Sequence, residues 1–174
     1  MKTALRASRL SWLAGTALAC GAALGLMHSA VAQEPVVGAA DADALFHSAN
    51  PRLNANMQVA YHIEKDLLEA NHWELADRYL TKRYLQHNPN ASSGLAGVVN
   101  YFVHVRKVVA KPIPAKLGIP VVSVVAQGDL VIVATPRVVR DASDPSKSYT
   151  TTWFDMWRIK DGKADEHWDC ATRM

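Results

Sequence analysis

Near residue 110 the spacing of the apolar residues changes, and this change limits the fold more than any other feature of the chain. Before it, Met57, Ala60, Ile63, Leu67 and Leu68, with Glu64 among them, recur at helical spacing, and Leu95, Val98, Val99, Phe102 and Val103 repeat the pattern. Beyond Ile119, β-branched residues dominate and turn signals punctuate them. Amphipathic helices followed by a run of strands bury their apolar faces by packing the helices on one face of an antiparallel sheet. The predicted fold class is therefore α+β.

Local signals set the expected boundaries. Asn50 suits an N-cap and Pro51 the first helical position, which predicts one helix over residues 51 to about 70. A shorter helix is expected over 73–80, broken by the turn Leu85-Gln86-His87-Asn88-Pro89-Asn90. A third, capped by Ser92 or Ser93, ends near Val109, before Pro112 and Pro114. Four strands follow, over residues 120–126, 130–138, 149–159 and 163–172, with turns at Gln127-Gly128-Asp129 and Lys160-Asp161-Gly162.

Lys2, Arg6 and Arg9 form a cationic start with no acidic residue before Glu34, and the apolar run after them ends in Ala30-Val31-Ala32. Residues 1–32 thus read as a signal peptide cut between Ala32 and Gln33, which predicts an exported protein, periplasmic or secreted. A permanent anchor is the alternative, but the run is short against the roughly 20 strongly apolar residues of a spanning helix. Lipoprotein processing at Cys20 is another, but the apolar stretch continues past it to Val31. Cleavage removes three of the 19 Lys+Arg and none of the 16 Asp+Glu, so the net charge of +3 belongs to the precursor. The balanced remainder predicts no nucleic-acid partner and no membrane association after cleavage. Cys170 is then the one cysteine left, and is expected to be a small buried apolar residue. Residues 33–50 read as a flexible leader, and residues 51–174 as a single domain.

Three segments, in this order and spacing, resemble the SnoaL-like polyketide cyclase family of the nuclear-transport-factor-2-like superfamily. They are Tyr84-Leu85-Gln86-His87-Asn88-Pro89, Val125-Ala126-Gln127-Gly128-Asp129-Leu130-Val131, and Phe154-Asp155-Met156-Trp157-Arg158 through Asp161-Gly162-Lys163 to Glu166-His167-Trp168-Asp169. The resemblance implies a cone-shaped curved antiparallel sheet packed on three N-terminal helices, with an apolar cavity at one end, a small apolar molecule as partner, and assembly as a homodimer. Its functions span polyketide cyclases, steroid isomerases, epoxide hydrolases and domains without a reaction, so it implies a pocket more firmly than a chemistry. In this alignment the strand histidines of the cyclases fall on Ala134 and Pro136, and a lengthened loop separates Arg137 from Thr150.

The last hairpin holds the candidate chemistry. A three-residue loop with Gly162 left-handed would pair Ile159 with Lys163, setting Asp155 opposite His167 and Trp153 opposite Asp169, all on one face. Phe154, Met156 and Trp168 would share the other face. A two-residue loop would shift the pairing by one and part Asp155 from His167. A carboxylate beside an imidazole in an apolar cavity can act as an acid/base pair, with Asp155 as base and His167, His87 or Tyr84 as donor to a developing enolate oxygen. The competing reading is a cross-strand pair that only orients the hairpin, with Asp169 capping a backbone group and His87 in a turn.

Tyr84, Tyr101, Phe102, Trp153 and Trp157 are candidate pocket walls, or simply core. No cofactor is expected. No dedicated metal site is expected either, because six histidines remain after cleavage without ligand spacing: His62 with Glu64, and His72 with Glu74, are two apart on helices. Three functions stay open: acid/base chemistry on an apolar carbonyl compound, non-catalytic binding of a lipophilic molecule, and a partner-binding module.

Overall fold

The computed structural model describes residues 34–173. The expected signal peptide, its cleavage point and Cys20 lie outside the described residues. Among these, no helix is long and apolar enough to cross a membrane.

The first helix, α1 (Pro51–His62), begins as expected: the Asn50 side chain accepts from the backbone N–H groups of Arg52 and Leu53 at 3.0 and 3.2 Å. It runs on as a π-helical stretch, Ile63–Glu69, instead of a regular helix, and Asn71 at φ 62° ends it. Its buried stripe is Met57, Ala60, Ile63, Glu64 and Leu67. A 3-10 turn (Trp73–Leu75) leads into α2 (Ala76–Tyr79), and α3 (Leu95–Asn100) continues as the π-helical Tyr101–Val105.

Five strands form one sheet in the order β1-β5-β4-β3-β2: β1 (Leu80–Gln86), β2 (Ser123–Gln127), β3 (Leu130–Arg140), β4 (Ser148–Lys160) and β5 (Lys163–Asp169). The sheet is curved and unclosed, and the fold is the expected α+β arrangement. β1 corrects the sequence reading, which had ended a helix at Leu80 and started a turn at Leu85. Leu80 and Tyr84, four apart, are its buried residues. A spacing of four fits a helix and a strand equally well; parallel pairing with β5 decides for the strand.

Two other expectations change. In the segment read as a loose leader, Asp43–Phe46 forms a 3-10 turn whose Phe46 is fully buried, and Ala39 N–H donates to Val121 O at 2.7 Å. The supposed long loop after Arg137 is shorter than expected, since β3 and β4 pair out to Arg140 opposite Ser148 and leave only residues 141–147 outside the strands. Asp141 and Asp144 then fold the intervening turn by accepting from Ser143 and Ser146.

The β4–β5 register differs from the expectation in two steps that together preserve its geometry. Lys160 pairs with Lys163, so the turn has two residues, Asp161 at φ 51° and Gly162 at φ 75°; two left-handed residues in succession are what Asp-Gly favours in a tight hairpin. That alone would put Asp155 and His167 on opposite faces. A bulge at Asp165 then adds one residue to β5, and the faces realign. β1 holds the extra residue: Asp165 accepts from Thr81 Oγ1 at 2.7 Å and is paired with Arg83. In consequence Asp155 stands opposite Asp169 and Trp157 opposite His167. Trp153 pairs with Thr135 of β3, not with Asp169.

Candidate active site

The sheet and helices line an open-mouthed cavity of about 680 Å³. Leu67, Trp73, Leu80, Val98, Phe102 and Trp157 give it apolar walls, and Asp155, His167 and Asp169 are its acid/base groups. Of the sequence candidates, Tyr84, Tyr101 and Trp153 also line it. His87 does not: it is half-exposed on the other side of β5, stacked on Trp168 at 5.0 Å and bonded to Glu166 Oε1 at 2.9 Å. Cys170, expected to be buried, is exposed at the cavity's edge.

Asp155 and His167 meet diagonally across the ladder, with Asp155 Oδ1 to His167 Nε2 at 2.9 Å. Both side chains are buried. The other ring nitrogen, Nδ1, lies 2.8 Å from Gln86 Oε1, which also receives the backbone N–H of Asn88 at 3.1 Å. A backbone N–H can only donate, so this Gln86 atom is the carbonyl oxygen and His167 Nδ1 must carry a proton. The remaining proton is then shared between Nε2 and Asp155. Asp155 Oδ2 has no hydrogen-bond partner among the described residues, which leaves it available to the cavity. Gln86 is where the sequence reading fell short: it was seen as part of a turn, whereas the end of β1 pairs it with His167.

Asn88 also fixes Asp169, donating Nδ2–H to Oδ2 at 2.6 Å while Ala171 N–H donates to Oδ1 at 2.9 Å. Asp169 therefore caps backbone, as the competing reading held, and still lines the cavity. Trp157 Nε1–H donates to the Tyr84 hydroxyl oxygen at 3.2 Å, so the Tyr84 O–H remains a donor. Burial, joined by the charges of Asp155 and Asp169, pushes the Tyr84 phenol well above its usual range, which keeps it protonated.

Glu64 was read only as a member of the α1 stripe. It is 2% exposed, and its Oε1 has no hydrogen-bond partner. Burial first, then the charges of Asp155 and Glu69, push its carboxyl far above the usual carboxylate range. In neutral form it adds no second negative charge beside Asp155.

Ala134 and Pro136 pair with Phe154 and Thr152, one residue out of phase with Asp155, whose β3 partner is Val133. A histidine at either position would not stand beside Asp155, so these two departures from the cyclase pattern take no partner away from Asp155. Asp155, His167 and Asp169 offer donor atoms within 4.8 Å of one another, close enough to share a divalent cation. Such binding would cost the Nε2–Asp155 hydrogen bond.

The SnoaL-like domain family matches residues 59–167. Similar solved structures include a proposed polyketide cyclase from Acidithiobacillus ferrooxidans, at 14% identity and TM-score 0.48, covering 71% of this chain and 89% of that one. An NTF2-like protein of unknown function from Burkholderia pseudomallei matches at 16% identity and TM-score 0.48, covering 68% and 91%. TerC, crystallised with polyporic acid, matches at 19% identity and TM-score 0.47, covering 68% and 92%. No curated protein matches.

Proposed function

We propose, from the premise that the chain belongs to the SnoaL-like domain family, that its cavity takes a small carbonyl compound and that Asp155 removes a proton from the carbon beside the carbonyl. The observation that carries this is the buried Asp155–His167 pair, 2.9 Å apart, with Asp155 Oδ2 unengaged toward an apolar cavity.

With His167 holding both ring protons and Asp155 ionised, Oδ2 is the base. The C–H bond breaks, its proton passes to Asp155, and its electron pair forms an enolate. The Tyr84 O–H, left free by the Trp157 bond, is the donor that can hold the enolate oxygen, while the His167 Nε2–H stays on Asp155 Oδ1. Return of the proton to a different carbon completes an isomerisation. Attack of the enolate carbon on a second carbonyl, with the proton delivered to the new alkoxide, completes an aldol closure.

The test is exchange of α-protons with deuterated water across a panel of cyclic ketones and diketones, followed by NMR. Asp155→Asn should lower the rate by about 10²- to 10⁴-fold while circular dichroism stays native. An undiminished rate removes the mechanism.

A second reading has the cavity hold a lipophilic molecule unchanged, and the largely apolar and aromatic lining favours it. Native mass spectrometry of protein from its own host separates the two. A retained ligand without exchange activity supports binding alone.

We place the protein outside the cytoplasm, on the cationic and apolar pattern of its N-terminal residues; full-length chain retained in the cytoplasm of its host would count against this, whereas a secreted form that begins elsewhere than Gln33 would move only the cleavage point. We also assign a homodimer, because Val125, Phe154 and Val138 are exposed on the sheet face opposite Asp155. Sedimentation as a monomer would refute that.

A further inference from the structure

The cavity has an acidic interior and a cationic edge. Inside are the carboxyl groups of Asp155 and Asp169. At the edge two exposed arginines, Arg106 and Arg137, contribute to the lining. Arg106 follows the π-helical Tyr101–Val105, and Arg137 stands on β3 in the same phase as Val133, the partner of Asp155. The Arg137 guanidinium lies 4.2 Å from the centre of the Trp153 ring, a contact that holds the cation in place without using its N–H donors. Among the described residues neither arginine is paired with a carboxylate. By contrast, Arg158, on the outer side of β4, is paired with both Asp129 and Glu166.

An arginine presents planar N–H donors that suit oxyanions, and two of them beside an apolar cavity favour a ligand with an ionised oxygen group at one end. The carboxylates within repel that end, so the charge distribution also orients the ligand. We propose that the edge of the cavity is an anion subsite, and that the ligand is an apolar ring compound bearing a carboxylate held by Arg106 and Arg137. This rests on the reading of the cavity as a small-molecule pocket and narrows it: the carbonyl end lies inside near Asp155, and the acid end lies outside.

Paired probes of equal shape test it. 2-Naphthoate and 2-naphthamide are nearly isosteric, the acid offering a charged, acceptor-only group where the amide is neutral, and calorimetric titration of the protein with each, at low and high salt, reads the contribution of the arginines. The acid should bind about tenfold more tightly than the amide at low salt, and added salt should shrink the difference. The Arg106→Gln/Arg137→Gln variant should lose the preference while binding the amide like the wild type, which also certifies its fold. Equal affinities, or a preference that survives either high salt or the double substitution, would overturn the subsite and leave the pocket standing. Binding of neither probe would overturn the subsite together with the pocket reading beneath it.

Discussion

Two histidine–carboxylate pairs lie on opposite faces of the same end of the sheet, with the same 2.9 Å separation: His167 with Asp155 inside, His87 with Glu166 outside. Exposure sets them apart. The inner side chains are 8% and 12% exposed, the outer ones 47% and 17%. Outside, Glu166 is also bonded to Arg158 at 3.1 Å, and His87 and Arg158 hold its carboxyl below the usual range. That network is neutralised and solvated, and it orients the hairpin. Inside, one proton is shared between two groups and one carboxylate oxygen remains open to an apolar cavity. The comparison teaches that bond length does not identify a site; what surrounds the bond does.

The comparison breaks most visibly at its two carboxylates. Asp155→Asn should cost about 10²- to 10⁴-fold in proton exchange, whereas Glu166→Gln should leave that rate unchanged. Equal losses in a substrate assay would mean that the two pairs share one structural role.

Stability against pH sharpens the contrast, because the two faces respond with opposite sign. The Glu64 carboxyl is raised in the folded protein, so its contribution favours folding below the unfolded carboxylate range and is lost as pH rises above it. Glu64→Gln, which needs no proton to stay neutral, should match the wild type near pH 4.5 and exceed it increasingly above, by up to about 1.4 kcal/mol per pH unit. Glu166 is lowered, so its contribution is present at neutral pH and falls away on acidification. Thermal denaturation at several pH values checks both; a Glu64→Gln advantage that does not grow with pH contradicts the assignment of a buried neutral carboxyl.

The smallest effect belongs to His87→Ala. Its partner is partly solvated and shared with Arg158, so denaturation should shift by no more than about 1 kcal/mol and activity should not change.

Much of this was legible in the residues. The change of apolar period gave the α+β class, Asn50-Pro51 marked the start of α1, and Asp155, Trp157, His167 and Asp169 do share one face. The parts that escaped depend on tertiary contacts. Leu80 and Tyr84 fit two periods at once, and only the parallel partner β5 makes them strand. The bulge at Asp165 follows from Thr81 and Arg83 on a distant segment, so no local reading of Asp161-Gly162 could include it. Gln86 became visible as a site residue only once β1 was paired, and Glu64 looked like one more position on a buried helix face.

The proposed chemistry requires His167 to carry its fixed proton on Nδ1, with Nε2 turned to Asp155. Long-range ¹H–¹⁵N spectra of the histidine rings read this directly in the wild type and in Gln86→Ala. The result expected is a proton on His167 Nδ1, giving way to mixed tautomers when Gln86 is removed. A wild-type His167 whose Nδ1 is bare and whose Nε2 holds the only proton would contradict the proposed chemistry.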